Sequence, residues 1–281
     1  MTRAAPSQDA GGSPRRRLLR LVNLLLPFTP VRAHSLRTLA ALQAILAIAL
    51  WALSGSRTLP SPLEVGAAWL DLVRHQGLLF ELWASVKVSL VALALSTLAA
   101  VTLTCLATAP LFMPLARFAA TLRFLGFAGL TYVFMLVSSD AQALRVSILT
   151  FGMAVFMVTG LLADLAATSR DQVDHCRTLG MRHWRITAEV VLLGKADVIL
   201  DLMRQNAAVG WTLLTLVEGL TRSAGGIGAM LLNQNRYFLL AGVFAIQATI
   251  LVVGLAQDAL LSLLKDTACP WSTLGKEQGT T

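Results

Sequence analysis

Apolar runs of about 20 residues recur along this chain, and nothing constrains its fold more. That is the length a helix needs to cross the hydrocarbon core of a bilayer. Unpaired backbone groups are costly there, so only internally bonded segments persist. The runs are 36–53, 83–107, 119–137, 144–162, a fifth in 199–220 that is charged in its first half, and 238–264. They predict an all-α polytopic membrane protein with about six transmembrane helices. Composition agrees: 56% of the 281 residues are hydrophobic and 14% charged, where a soluble domain carries about 25% charge. The expected organisation is a basic tail and interfacial segment (1–35), a membrane domain (36–264) and a second tail (265–281).

The formal net charge is +8, and its distribution reads as topology rather than nucleic-acid binding. Arg3, Arg15, Arg16, Arg17, Arg20, Arg32 and Arg37 stand at or before the start of the first run, against one acid, Asp9. With that end cytoplasmic, six spans put sixteen Lys and Arg on the inner side and six on the outer, Arg204 left aside, which obeys the positive-inside bias. Both termini are then expected inside, in a cell's inner (plasma) membrane. "RRRLLRLVNLLLPF" is ordered like a signal peptide, but its apolar part is short, Pro27 and Pro30 follow, and no small-x-small cleavage site is evident. An interfacial helix or a lead-in to the first span is the better expectation.

Shorter features sit between the runs. Residues 62–77 read as an amphipathic surface helix, Lys87 is placed to snorkel at the start of the second span, and 221–238 reads as a glycine-rich loop with a short helix. Gly210, Gly219, Gly225, Gly226 and Gly228 allow close packing or bends. The run Gly225–Gly228 lacks the lysine of a nucleotide loop. Cys105, Cys176 and Cys269 share no metal-ligand spacing, and His34, His75, His175 and His183 are scattered without a His-Glu-x-x-His. No catalytic group, metal site or cofactor is expected in this chain.

The most polar part of the last two thirds is "DQVDHCRTLGMRHWRITAEVVLLGKADVIL", 171–200. Val173, Cys176 and Leu179 recur at helical spacing before Gly180, and Trp184 and Ala188 continue a face after it. Gly180 therefore predicts a turn between two short helices, since glycine takes the left-handed conformation at little cost. Arg177, Arg182 and Arg185 are left to face water or a charged partner. On pattern alone this is either a binding segment or an ordinary positive-inside loop against lipid headgroups.

The segment resembles the cytoplasmic "EAA" loop of permease subunits from binding-protein-dependent ABC importers. That pattern is E-A-A, three residues, G, nine residues, I-x-L-P. Asp174, His175 and Cys176 stand at E-A-A, Gly180 at the glycine, Val190 at the isoleucine and Leu192 at the leucine, while Leu193 replaces the proline. "LPSPLEVGAAWLDLV" with "ELWASVKVSLVALALS", and "LMRQNAAVGWTLLTLVEGLTRSAGGIG", are similar to parts of the nitrate/sulfonate/taurine subgroup. Its usual "R-P-I-P" is here only "RFLG".

The resemblance implies a type I ABC importer permease fold and a coupling loop at about 166–193 that docks on an ATPase subunit. Asp174, His175, Cys176, Arg177, Gly180, Arg182, Trp184 and Arg185 are the docking candidates. Loss of the proline implies a straighter start to the fifth span. Implied partners are ATP-binding-cassette ATPases carrying ATP and Mg, a second copy of the permease or a paralogue, an extracytoplasmic solute-binding protein and membrane lipid. The implied solute is small and anionic, nitrate-, sulfonate- or taurine-like. A secondary transporter or channel, and a non-transporting partner in a heterodimer, are the alternatives.

Charges near the membrane complete the candidate set. Asp197, Asp201 and Arg204 fall on one helical face close to Lys195 and predict either an interfacial salt-bridge cluster that holds the dimer or the inner gate, or direct contact of Arg204 with substrate. Glu218 stands four residues before Arg222, which predicts either an ion pair at that spacing or a role near the outward gate.

Overall fold

The computed structural model describes residues 33–53, 59–125, 127–138, 140–221 and 225–271. The arginine-rich segment before Ala33 with its expected interfacial helix, Arg57, Arg222 and the tail bearing Lys276 lie outside the described residues. Those described form helices α1 (Ala33–Leu53), α2 (Pro62–His75), α3 (Leu78–Ala107), α4 (Met113–Thr121), α5 (Phe127–Val137), α6 (Ala141–Ala166), α7 (Arg170–Thr178), α8 (His183–Thr187), α9 (Ala196–Leu220), α10 (Ile227–Arg236) and α11 (Leu240–Ala268). No strand occurs among them. The chain divides into a unit ending at Pro62, in which the Trp51 indole donates to the Pro60 carbonyl at 3.1 Å, and a unit beginning at Leu63.

Among the described residues four helices are long and apolar enough to cross a membrane: α1 over Leu36–Leu53, α3, α6 and α11. They correspond to the first, second, fourth and sixth expected runs. The fifth run forms α9, whose 25 residues extend about 38 Å but include four charged side chains, Asp197, Asp201, Arg204 and Glu218. The third expected span is not one helix. α4 ends at Thr121, a 3-10 turn covers Leu122–Phe124, and Leu125 is extended with φ −71° and ψ 132°. The 11 residues of α5 that follow reach about 17 Å, roughly half the hydrocarbon thickness. Hydropathy sums across such a break without registering it.

Helix ends shift for local reasons. α6 starts at Ala141 instead of 144 because the Asp140 carboxylate caps it, accepting from the Ala143 amide at 2.6 Å. Such a cap is worth about 1 kcal/mol. α3 begins at Leu78, which leaves Lys87 nine residues, about 14 Å, along the helix instead of near its start. α11 runs to Ala268, so Lys265 belongs to a helix and not to a tail.

In the unit from Leu63 onward, α3, α6 and α11 run in one direction and α9 in the other. Lys195 before α9 meets Asp164 near the end of α6, and Glu218 near the end of α9 meets Ser85 near the start of α3. Ser85, Ser89, Ala92, Ser96, Ala100 and Thr104 form a buried seam along α3, every third or fourth residue. Lipid gives helices no hydrophobic reason to associate, so small side chains that let backbones approach are the means of packing. The Ser96 and Thr104 hydroxyls donate to Leu93 and Ala100 carbonyls of the same helix, at 3.0 and 2.8 Å. Against the seam pack Met157, Val158 and Leu161 of α6, and Leu149, Met153, Trp211 and Ile246 complete a larger core shared by α3, α6, α9 and α11. A Cβ at Gly210 would lie 2.9 Å from the Met153 methyl carbon, so α9 relies on that glycine to approach α6. Leu90, Leu95 and Leu98 on α3 and Leu251, Val252 and Leu255 on α11 stay exposed, as faces made for lipid do.

Candidate functional site

At one end of the bundle the chain leaves α6, makes two short helices and re-enters as α9. α7 ends in a glycine turn with Leu179 as its cap residue and Gly180 at φ +72°. The Gly180 amide donates to the Arg177 carbonyl at 2.9 Å and the Met181 amide to the Cys176 carbonyl at 3.3 Å. This pair of bonds is the Schellman arrangement, which satisfies the last carbonyls of a helix and needs a left-handed residue where Gly180 stands. The expected turn between two short helices is present.

His175, Leu179, Arg182, Trp184 and Arg185 are exposed around this turn, with Leu179 at 61% and Trp184 at 59%. Asp174 accepts from Arg177 at 2.8 Å, both exposed, so that arginine carries a local partner. Cys176 is half-buried and Ile186 is buried as the anchor of α8. Thr187 and Thr108 hydroxyls lie 3.1 Å apart. A cavity of about 650 Å³ opens between this segment and the ends of α3 and α6, with Pro110, Met113, Leu165, Val173, Trp184 and Ile186 among its walls.

The re-entry is not straightened by the absence of proline. Residues Ala188–Leu193 form a π-helical turn, and the Gly194 amide donates to the Glu189 carbonyl at 2.7 Å. The turn inserts a residue into the helical count, and the chain re-aims at Lys195 before α9 starts. A Cβ at Gly194 would lie 3.0 Å from the Glu189 oxygen, so the tight turn itself favours glycine.

The charged face at the start of α9 pairs across helices. Arg204 makes a bidentate contact with Asp258 of α11, Nε to Oδ1 at 2.9 Å and Nη2 to Oδ2 at 2.8 Å. Lys265 reaches Asp201 at 2.5 Å. The Asp201–Arg204 distance expected to matter is 4.0 Å, at the limit of an ion pair. Asp197 is half-buried, with no ion pair among the described residues. Asp258 and Lys265 were missing from the expected set, yet their seven-residue spacing in an apolar run puts them on one helical face. That spacing is the signal that pointed to them.

At the opposite end Glu218 is buried in a nest that sequence spacing did not reveal. Its oxygens lie 2.7 and 2.9 Å from the Ser85 hydroxyl, and one accepts from the Gly228 amide at 2.8 Å. Arg145 of α6 stands 3.6 Å away, 3% exposed. Ser85 in turn accepts from the Ile227 amide at 2.9 Å, and Glu81 accepts from the Gly226 amide. Gly226, at φ +98°, would drive a Cβ into the Glu218 carboxylate. The start of α10 and the loop entering it are thus pinned by two carboxylates, Glu81 of α3 and Glu218 of α9. Arg222, the expected partner, lies outside the described residues.

Among the described residues no group of three or more His, Cys, Asp and Glu side chains is arranged for a metal ion. No family model and no curated protein matches the sequence. Among solved structures, the chain is similar to one described as an amino acid ABC transporter with histidines, at 17% identity and a TM-score of 0.52. The match covers 71% of this chain and 98% of that one. The all-α bundle, with helices long and apolar enough to cross a membrane, shares its fold with that ABC-transporter chain.

Proposed function

We propose that the chain is the permease subunit of an ATP-driven, binding-protein-dependent importer of a small anionic solute. It is not itself catalytic: a separate ATP-binding-cassette subunit holds ATP and Mg and hydrolyses the nucleotide. The observation that carries this reading is the exposed knob of α7, Gly180 and α8. It projects from one end of the bundle and is tied to the ends of α3, α6 and α9 through Thr187–Thr108 and Lys195–Asp164. A basic projection with an exposed tryptophan suits docking in a cleft of a motor subunit. A second permease copy or paralogue would complete the path, an external protein would deliver a nitrate-, sulfonate- or taurine-like solute, and the knob's end would face the cytoplasm.

The test is reconstitution with the ATPase and the solute-binding protein of the same cell. A stable complex whose ATP hydrolysis rises with loaded binding protein is expected. Transport that persists without any ATPase would identify a secondary transporter or channel. A complex that hydrolyses ATP but moves solute only beside a different permease chain would identify a non-transporting partner.

A further inference from the structure

We infer that the recess between the starts of α3 and α6 is a binding site for a small oxyanion, held by Arg145 and Lys87. This deepens the importer reading and rests on it for the solute's passage, though the binding itself requires no motor.

The recess encloses about 230 Å³ and is lined by Phe80, Trp83, Ala84, Lys87 and Val88 of α3 and Gln142 and Arg145 of α6. Liquid water occupies about 30 Å³ per molecule, so a sulfonate or nitrate with part of its hydration fits. Arg145 forms the buried wall, and its Nε has no hydrogen-bond partner among the described residues. The nearest carboxylate, Glu218, is 3.6 Å from Nη1, and its oxygens already receive the Ser85 hydroxyl and the Gly228 amide. A guanidinium offers five donors in a planar fork. At 3% exposure, water has little access to those left over.

Lys87 forms the exposed rim. Its ammonium lies 5.3 Å from the centre of the Trp83 ring, and no carboxylate reaches it among the described residues. The two acids of this region, Glu81 and Glu218, are engaged by the start of α10 and the loop that enters it and do not line the recess. Two cations therefore share a concave pocket, Arg145 with Glu218 on its Nη1 side and Nε still unpartnered, Lys87 with no carboxylate among the described residues, and charge-assisted bonds from both would orient an oxyanion. Gln142 adds an amide at the rim. The same chemistry is offered by a free solute anion and by a phospholipid phosphate.

The experiment titrates sodium methanesulfonate calorimetrically into the full-length chain, purified in maltoside detergent without phosphate or sulfate. Saturable binding is expected, weakened about tenfold or more by Lys87→Gln and by Arg145→Gln, and kept by Lys87→Arg. Because Arg145 is buried, Lys87→Gln decides the matter if Arg145→Gln fails to fold. Native mass spectrometry of retained phospholipid separates the sources. Lipid lost from Lys87→Gln, with methanesulfonate bound only after delipidation, identifies a headgroup, and direct binding identifies a free anion. Either supports the site. Absence of both ligands, or equal binding by wild type and Lys87→Gln, overturns it. A chain that binds methanesulfonate but never joins an ATPase keeps the site and loses the importer reading. A motor-coupled chain with an empty recess does the reverse.

Discussion

Lys195 lies 2.6 Å from a carboxylate oxygen of Asp164 and donates to that residue's own carbonyl at 2.8 Å. The pair closes the excursion that carries α7, Gly180 and α8, joining the last turns of α6 to the residue before α9. Both side chains are mostly shielded, at 17% and 26% exposure, so the contact is screened less than a surface pair.

Opening this clasp should separate hydrolysis from transport. Lys195→Ala is expected to assemble normally, to lose about 1–2 kcal/mol of local stability, and to transport less solute per ATP hydrolysed. Exchanging the charges, Asp164→Lys with Lys195→Asp, should recover part of the loss. An unchanged transport-to-hydrolysis ratio in Lys195→Ala would remove the clasp from the mechanism.

Gly180 tests the knob directly. A β-branched side chain at φ +72° costs about 1–2 kcal/mol, and no heavy atom lies within 4 Å of a Cβ built there. Gly180→Val should therefore disturb the turn and its docking face without disturbing the bundle. Pull-down of the ATPase should fall while the detergent melting temperature stays near wild type. Arg182→Glu, which leaves the turn intact, should also weaken the pull-down. Full ATPase retention in both variants would end the docking assignment.

The Arg204–Asp258 fork should behave as a structural tie between α9 and α11. Arg204→Ala is expected to destabilise the purified chain by about 1–2 kcal/mol, read as an earlier thermal transition. Arg204→Asp with Asp258→Arg should return most of it. A double mutant no better than either single change would mean that the pair is not coupled.

Glu218→Gln retains the acceptor toward Ser85 or Gly228 but removes the charge facing Arg145. Uptake should fall more than assembly does, whereas Glu218→Ala, which strands Arg145, should cost about 3–5 kcal/mol. Wild-type uptake by a fully assembled Glu218→Gln protein would contradict a part for this nest in transport.

Legibility in the sequence followed the range of each interaction. The long apolar helices and the turn at Gly180 depend on neighbours in the chain, so periodicity and one glycine disclosed them. The interruption at Leu125 depends on a single extended residue inside an apolar run, and hydropathy is blind to it. Glu218 presents a nearby arginine at helical spacing, which hides Ser85 and Arg145, residues of other helices brought in by packing. Spacing likewise offers Arg204 the neighbouring Asp201, three positions away, whereas its fork closes on Asp258 of α11. Short spacing shows which pairs can form, and tertiary approach decides which do.

The row of serines, alanines and a threonine buried along α3 has a mechanical consequence. Along that seam α3 offers nothing longer than a threonine, so Met157, Val158 and Leu161 of α6 seat directly against its backbone. The two helices are coupled like two rails bolted together. A push received at the knob would travel their shared length of some 40 Å and arrive at the Glu218 nest as a tilt.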